Sequence, residues 1–189
     1  MKLFTRLLSL VAIAALVVAV FAVGYKEIQK KLHPLGYEDL IEKYSAEYDL
    51  DKRLVLAVIK CESGFDSTAV SSVGARGLTQ ITEDTFNWLK TKMEDDAQEL
   101  TFDDMFEPEV AIRFGCRLLS ILTNEFKNYE ASLAAYHAGS SRVRGWLEDP
   151  ELSRDGVTLD SIPFEDTAGY VKKVMKAYET YGELYSDEL

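Results

Sequence analysis

The sequence predicts a mainly helical domain preceded by one apolar N-terminal helix. Beyond residue 37, apolar residues recur at three- and four-residue steps, which is the period of an amphipathic α-helix. Residue types that begin and end helices flank these runs, and strand signals are weak throughout. The 189 residues suit one compact domain with an appendage, and such a domain can bury a core without a metal or several disulfides.

The charge of the chain limits its partners. The formal net charge is -11 and the isoelectric point is about 4.7. This acidic balance argues against nucleic acid, and against docking on anionic lipid through a basic patch. A neutral glycan strand is compatible with it.

The N-terminus predicts a membrane segment. Lys2 and Arg6 precede an uncharged apolar run from Leu7 to Val23. This run is about the minimum that spans a bilayer, and it is longer than the usual apolar core of a signal peptide, about 7 to 15 residues. We therefore expect residues 1–24 to be an uncleaved transmembrane signal anchor, with a cytoplasmic N-terminus and the domain outside the cell membrane. A signal peptide cleaved near residues 20–24, which would give a secreted protein, is the alternative.

Residues 25–36 are then a short tether, and residues 37–189 form the domain. Each expected helix is indicated by an N-cap residue, by a proline at its start or by an apolar stripe. They are Tyr37 to Tyr48, a helix after the N-cap Asp51, a helix after the N-cap Thr82, Pro108 to about Phe126, Ser132 to Ala138, one around Val143 to Leu147, and Asp166 to about Leu184. Residues 94–104 are expected to be an irregular surface segment without a function.

Glu62 has an unusual place for a carboxylate. It stands at the predicted end of the second helix, before Gly64, and follows Val58 by four residues and Ile59 by three. Its side chain therefore projects from the apolar stripe, where desolvation and the negative end of the helix dipole both favour the protonated acid. A glutamic acid protonated near neutral pH can act as a general acid. The alternative is a glutamate that reaches water past a buried helix end.

The residues after Glu62 suit a polyhydroxylated ligand. Gly64, Gly74 and Gly77 allow close backbone approach or a positive φ. Side chains that donate and accept hydrogen bonds lie among them, at Ser63, Ser67, Ser71, Ser72 and Gln80. An acid beside such groups indicates cleavage of a glycosidic bond.

Three motifs follow one another along the chain. The first is Glu62-Ser63-Gly64-Phe65, then Ala69-Val70-Ser71, then Gly74-Ala75-Arg76-Gly77-Leu78-Thr79-Gln80-Ile81; the second is Ala134-Ala135-Tyr136-His137-Ala138-Gly139; the third is Ile162-Pro163-Phe164 with Thr167, Tyr170 and Val171. Their order and spacing resemble those of soluble-type lytic transglycosylases, relatives of goose-type lysozyme that cleave peptidoglycan. The resemblance covers about residues 37–185 and implies a lysozyme-like helical fold.

The resemblance also implies roles for single residues. Glu62 would be the catalytic acid. The substrate-binding residues would be Ser71, Gly77, Gln80, Tyr136, His137, Asp166 and Tyr170. For any one of the ten tyrosines, core packing is the alternative.

Several positions depart from the family pattern, among them Asp166, which stands where the family usually has a glutamate. Thr79 and Thr82 stand where the family often has methionine, Glu83 replaces a frequent proline, and His137 replaces an asparagine. These changes leave the acid in place and concern the subsites around it.

Cys61 and Cys116 are the only cysteines. In an extracellular domain an even number permits a disulfide. Cys61 is expected to point away from the cleft toward the body of the fold, where the helix that bears Cys116 should pack. We therefore expect a disulfide between them, with two buried thiols as the alternative.

Metal and cofactor chemistry are not expected. His33 and His137 are the only histidines, and neither has Cys or Asp partners at ligand spacing. There is no phosphate-binding glycine loop followed by lysine, and no supported Ser-His-Asp set. The sequence thus predicts metal-free chemistry through one carboxylate.

We therefore expect a membrane-anchored lytic transglycosylase that cleaves the β-1,4 bond between N-acetylmuramic acid and N-acetylglucosamine and leaves 1,6-anhydro ends. Its expected partners are peptidoglycan glycan strands and the membrane. Hydrolysis would usually need a second carboxylate, whereas Asp66 matches no acidic position of the motif and Asp166 corresponds to a family residue that is not a nucleophile. The alternatives are a goose-lysozyme-type muramidase and a catalytically silent glycan-binding scaffold subunit.

Overall fold

The computed structural model describes residues 16–18, 20, 21, 23–186 and 189. The chain divides into two compact units, residues 1–34 and Leu35–Leu189. In the first unit, residues 23–32 are helical and carry exposed apolar side chains such as Val23 and Ile28. Most of the predicted anchor lies outside the described residues. Within those residues, no helix is both long enough and apolar enough to cross a membrane.

The second unit is mainly helical, as predicted. Its described residues form the helices α1 (Glu38–Glu47), α2 (Lys52–Glu62), α3 (Glu83–Lys90), α4 (Pro108–Phe126), α5 (Tyr129–Ala138), α6 (Ser140–Glu148) and α7 (Glu165–Leu184). Two 3-10 turns, Asp95–Glu99 and Phe102–Phe106, lie between α3 and α4. In this part of the chain the extended pairing consists of two isolated antiparallel bridges, which join Val70 to Arg76 and Arg76 to Ile81.

Helix α2 carries Glu62, and its N-terminus forms as the sequence predicts. The Asp51 side chain accepts a hydrogen bond from the backbone N–H of Arg53 at 2.9 Å and so caps the helix. The same carboxylate accepts from the Tyr178 hydroxyl of α7 at 2.9 Å. The residues from Leu54 to Ile59 are buried, and α2 packs chiefly against α7. The cap therefore also ties the start of α2 to its main neighbour.

Helix α4 has the predicted bounds and forms the centre of the core. Proline suits its first turn, because the missing N–H would have no partner there. Phe114 stacks on Phe86 of α3, with ring centroids 4.7 Å apart. The helix also packs against α1, α5 and the second 3-10 turn. It thus supports the segments before and after the glycine-rich loop, which we define as residues 63–81.

Two elements differ from the prediction. Helix α5 begins three residues earlier than expected, because the Asn128 side chain caps it by accepting from the N–H of Ala131 at 2.8 Å. Residues 94–104, predicted to be irregular, contribute to both 3-10 turns. The second turn is fixed at its start by the N–H of Thr101, which donates to the Asp104 carboxylate at 2.7 Å.

The predicted disulfide between Cys61 and Cys116 is wrong, since both thiols are free. The prediction assumed that α2 packs against the helix that bears Cys116, but α2 packs chiefly against α7. The carbonyl oxygen of Cys61 accepts from Lys173 of α7 at 3.0 Å. Cys116 is fully buried on α4 and acts as a small apolar core residue.

Gly77 lets the glycine-rich loop pass directly against the second 3-10 turn. Its φ is +69°, and a Cβ at this position would lie 1.9 Å from the carbonyl oxygen of Met105. Neither the backbone conformation nor the available space admits a side chain.

We expect Gly77→Ala to lower the free energy of unfolding by about 2 to 4 kcal/mol, measured by urea denaturation, because the strain of a left-handed φ and the clash add together. The matched control is Gly145→Ala in α6, where a Cβ would meet no atom within 4 Å. Alanine should stabilise that helix by up to about 1 kcal/mol. Equal effects of the two substitutions would contradict the close approach at Gly77.

Candidate active site

Glu62 is the last residue of α2, and the chain turns sharply after it. Gly64 and Phe65 are both left-handed, with φ of +62° and +70°. The N–H of Gly64 donates back to the carbonyl oxygen of Ile59 at 3.2 Å and ends the helix. Val58 and Ile59, one turn earlier, are fully buried. The Glu62 side chain therefore projects from the buried stripe, as its spacing predicts.

Burial raises the pKa of Glu62 to about 7. Two groups act in the opposite direction. The Tyr170 hydroxyl donates a hydrogen bond to Glu62 Oε1 at 2.6 Å, and the Lys173 ammonium group favours the carboxylate by its charge. At neutral pH both forms of Glu62 are populated, which suits a group that donates a proton and later accepts one.

The two predicted tyrosines have different partners. Burial raises the pKa of both Tyr136 and Tyr170, so both hydroxyl groups are protonated donors at neutral pH. Tyr170 donates to Glu62, whereas Tyr136 donates to the carbonyl oxygen of Thr79 at 2.6 Å. Tyr170 thus orients the acid, and Tyr136 holds the end of the glycine-rich loop.

A cleft of about 280 Å³ opens beside Glu62. The glycine-rich loop supplies the largest share of its wall, and the end of α2, α3 with its N-cap, α4 and α5 supply the rest. The lining residues are Glu62, Ser71, Val73, Ala75, Gln80, Ile81, Thr82, Thr85, Leu118, Tyr136 and His137. The structure therefore brings the predicted acid together with four of the predicted substrate-binding residues, namely Ser71, Gln80, Tyr136 and His137.

Ser71 and Gln80 each use part of the side chain to hold the loop. Ser71 Oγ accepts from the N–H of Ala75 at 3.0 Å, which leaves the hydroxyl proton for a ligand. Gln80 Nε2 donates to the carbonyl oxygens of Ala69 and Gly77 at 3.1 and 3.0 Å. The amide oxygen of Gln80 is then the atom that can accept from a ligand. Gln80 has a φ of +47°, and these bonds offset the strain of that conformation.

His137 lies at the exposed side of the cleft. Its ring stacks on Tyr170, with centroids 4.7 Å apart and an interplanar angle of 28°. Its Nδ1 lies 3.1 Å from the hydroxyl oxygen of Thr167, a buried residue of α7. These contacts fix the ring and leave Nε2 as the nitrogen available to a ligand.

The remaining predicted residues have other positions. Gly77 lies behind the cleft wall against Met105, and Asp166 is exposed in the first turn of α7, away from the cleft lining. The sequence named Thr167 as a motif position but gave it no role, and it missed Lys173; Thr167 contacts His137, and Lys173 contacts the end of α2. Each lies three residues from Tyr170, so all three share one face of α7, and this spacing was the available signal.

Two departures from the family pattern have structural explanations. Thr79 is buried: its hydroxyl donates to the carbonyl oxygen of Ala111 at 2.8 Å, and a Cβ on Gly115 would lie 2.3 Å from its methyl carbon. This residue joins the loop to α4 and does not face the cleft. Thr82 caps α3 by accepting from the N–H of Thr85 at 3.5 Å, and it also lines the cleft.

Among the residues that the structure describes, Glu62 is the one carboxylate that lines the cleft. Asp66 is exposed, and hydrogen bonds from the hydroxyl and N–H of Thr68 lower its pKa. The same part of the chain contains no group of three or more His, Cys, Asp or Glu residues that could hold a metal ion. The arrangement can therefore transfer a proton through one carboxyl group at a cleft that is lined by hydroxyl and amide groups.

Comparison with known proteins gives the family. The profile of the transglycosylase SLT domain matches residues 39–155. The chain belongs to this family. It is 35% identical over 150 residues to the soluble lytic murein transglycosylase of Escherichia coli K12. The aligned residues cover 78% of this chain and 23% of that protein. It is 32% identical over 125 residues to the membrane-bound lytic murein transglycosylase C of Photorhabdus laumondii, which is 61% of this chain and 34% of that one. The SLT chain thus spans a quarter to a third of these relatives.

Solved structures show the same fold. The 70 kDa soluble lytic transglycosylase of E. coli matches with a TM-score of 0.73 and 29% identity, over 85% of this chain and 26% of that chain. It has also been solved in complex with bulgecin A. An inactive glutamate-to-glutamine mutant of the Pseudomonas aeruginosa lytic transglycosylase Slt matches with a TM-score of 0.66 and 27% identity. The match covers 80% of this chain and 24% of that chain. The predicted lysozyme-like fold is confirmed.

The raised pKa of Glu62 makes the stability of this SLT domain depend on pH. The ordinary pKa is 4.5 and the pKa in the fold is about 7, so stability is lost as the pH rises from 4.5 through 7, where the buried acid must ionise. Glu62→Gln keeps the shape and does not ionise. We expect the variant to match the wild type at about pH 4 and, allowing for partial solvent exposure, to exceed it by about 1 to 3 kcal/mol at about pH 8 in urea denaturation.

The control for this measurement is Glu179→Gln, which changes an exposed carboxylate of α7. The difference in free energy of unfolding between this variant and the wild type should change by less than about 0.5 kcal/mol between the two pH values. A stability gain of Glu62→Gln that is the same at both pH values would contradict the raised pKa.

Proposed function

We propose that this chain is a peptidoglycan lytic transglycosylase that cleaves the β-1,4 bond between N-acetylmuramic acid and N-acetylglucosamine. The observation that carries the proposal is Glu62, a half-buried carboxyl group of raised pKa at the edge of a cleft lined by hydroxyl and amide groups. Ser71, Gln80 and Tyr136 are neutral, and they suit the hydroxyl and acetamido groups of a glycan strand.

The reaction begins with proton transfer from Glu62 to the glycosidic oxygen. Because burial keeps much of Glu62 protonated near neutral pH, the acid is ready before the substrate binds. The bond from that oxygen to C1 of N-acetylmuramic acid breaks, and the N-acetylglucosamine residue leaves with the proton on its oxygen. The Tyr170 hydrogen bond favours the carboxylate that remains on Glu62.

The second step uses groups of the substrate. The acetamido oxygen of the muramic residue stabilises the positive charge on C1, and the C6 hydroxyl then closes on C1 while its proton passes to Glu62. One C–O bond forms for the one that broke, and Glu62 ends protonated, as it began. Since the closure is intramolecular, its effective concentration can exceed that of attacking water. A hydrolase usually needs a second carboxylate about 5 to 9.5 Å from the acid.

The relatives support this proposal. Both curated relatives described above are named lytic murein transglycosylases. The Pseudomonas aeruginosa enzyme is inactive when a glutamate is replaced by glutamine, which agrees with chemistry through one acid. The chain spans only part of these proteins, and the site geometry is what supports its own substrate.

We also propose that residues 1–24 anchor the domain, residues 37–189, to the membrane through the tether of residues 25–36. The uncharged run from Leu7 to Val23 and the membrane-bound relative support this location. N-terminal sequencing of the mature protein tests it, since a new terminus near residue 23 or 25 would show a cleaved signal peptide instead.

Digestion of purified glycan strands should release products that end in 1,6-anhydro-N-acetylmuramic acid, because the C6 hydroxyl closes the ring. Mass spectrometry identifies them, since each product is lighter by one water than its hydrolytic counterpart.

Glu62→Gln should reduce kcat at least about 100-fold, because the amide cannot donate the proton. Asp66→Asn, at an exposed carboxylate away from the cleft, should retain activity. Reducing-end products would indicate a muramidase, and binding without cleavage would indicate a scaffold subunit.

The pH dependence of kcat/KM should follow the proton on Glu62. The acid form is required, so kcat/KM should fall as the pH rises through about 7. Tyr170→Phe removes a hydrogen bond that favours the carboxylate, so this decline should move to higher pH. The matched control is Tyr178→Phe, which removes another α7 hydroxyl bonded to a carboxylate, that of Asp51. A decline at the same pH in all three proteins would exclude Tyr170 from control of the acid.

A further inference from the structure

The second 3-10 turn, Phe102–Phe106, contacts the glycine-rich loop through the side chain of Arg76. The Arg76 guanidinium carbon lies 4.3 Å from the ring centroid of Phe102 and 5.3 Å from that of Phe106. The same group forms an ion pair with Asp103. Both distances are within the range in which an aromatic face attracts a cation. One arginine of the loop therefore contacts three residues of this turn, and two of them, Phe102 and Asp103, lie in the segment 94–104 for which the sequence predicted no function.

The backbone of Arg76 lies where the loop folds back on itself. It forms antiparallel bridges with Val70 and with Ile81, and its N–H donates to the Ile81 carbonyl oxygen at 3.0 Å. The next residue, Gly77, lies against Met105 of the same 3-10 turn. Arg76 is thus fixed through its backbone to both arms of the loop and through its side chain to the turn.

The loop residues next to Arg76 form the cleft wall. Ala75 lines the cleft, and it exchanges hydrogen bonds with Ser71: its N–H donates to Ser71 Oγ, and its carbonyl oxygen accepts from the Ser71 N–H, both at 3.0 Å. Gln80 lines the cleft and is bonded to Gly77. A displacement of Arg76 would therefore move the two side chains that are placed to bind the glycan.

We propose that Arg76 is a positioning residue that, through its contacts with Phe102 and Phe106, sets the place of Ser71 and Gln80 for glycan binding. The proposal rests on the proposed function, because it assumes that the ligand of this cleft is a glycan strand. The contacts with the two aromatic rings supply most of the interaction that holds Arg76 in position. The Asp103 side chain is 86% exposed, and ion pairs of exposed side chains contribute little.

The test measures the binding of soluble glycan strands in the Glu62→Gln background, where turnover does not interfere. Arg76→Met replaces the arginine by an apolar side chain of similar length, so that the aliphatic contacts remain and the cation is lost. We expect Kd to rise about 5- to 20-fold, while Arg76→Lys, which keeps a cation over the rings, should stay within about 3-fold of the parent. Phe102→Leu, which keeps Arg76, should also raise Kd. The matched control is Arg117→Met, because Arg117 likewise lies over a ring, that of Tyr48 at 5.8 Å, but on α4 outside the loop.

A second readout separates positioning from a general loss of structure. With Glu62 present, Arg76→Met should raise KM by a similar factor and leave kcat and the pH of the kcat/KM decline unchanged, since Arg76 does not contact the acid. A Kd within 2-fold of the parent, or a fall in kcat at unchanged KM, would overturn the proposal. If the wild type cleaves glycan strands while Arg76→Met binds normally, only this inference fails. If the wild type neither binds nor cleaves them, the proposed function fails with it.

Discussion

Desolvation of the Glu62 carboxyl group is the constraint on which the arrangement of the domain depends. The acid must be buried enough to hold a proton near neutral pH, and burying it lowers the stability of the fold wherever it ionises. Helix α2 meets this cost with a row of fully buried apolar residues and with a cap that also contacts α7. The helix is thus fixed at both ends by the same neighbour, through Asp51 at its start and Glu62 at its end.

The polar groups around the acid have two different roles. Tyr170 and Lys173 of α7 act on the protonation of Glu62, while Tyr136 and the second 3-10 turn act on the glycine-rich loop. The loop contains left-handed residues that are strained in isolation, and contacts from several elements hold them in place. The acid and the binding wall are therefore supported by different parts of the chain, so that a substitution can affect one without the other.

The sequence predicted the features that depend on neighbouring residues. Asp51, Thr82 and Pro108 mark helix starts because caps and first turns are local interactions. The raised pKa of Glu62 followed from its spacing to Val58 and Ile59, which is a property of one helix. The disulfide was wrong because it required knowledge of which helix packs against α2. The contacts of the second 3-10 turn with Arg76 and Gly77 were not predicted, because they join residues far apart in the chain. The substrate-binding role of Asp166, which is exposed on α7, was taken from a motif alone and stays a prediction.

The buried contact of Thr79 with α4 limits how the loop can be exchanged between relatives. Its hydroxyl is bonded to the Ala111 carbonyl oxygen, and its methyl group occupies space that Gly115 leaves open. A loop grafted from a protein with a bulkier residue at this position would need the matching surface of α4 as well. The unit that can be transplanted to alter ligand preference is therefore the loop together with the first two turns of α4. A chimera that exchanges the loop alone would be mispacked beneath its own cleft wall.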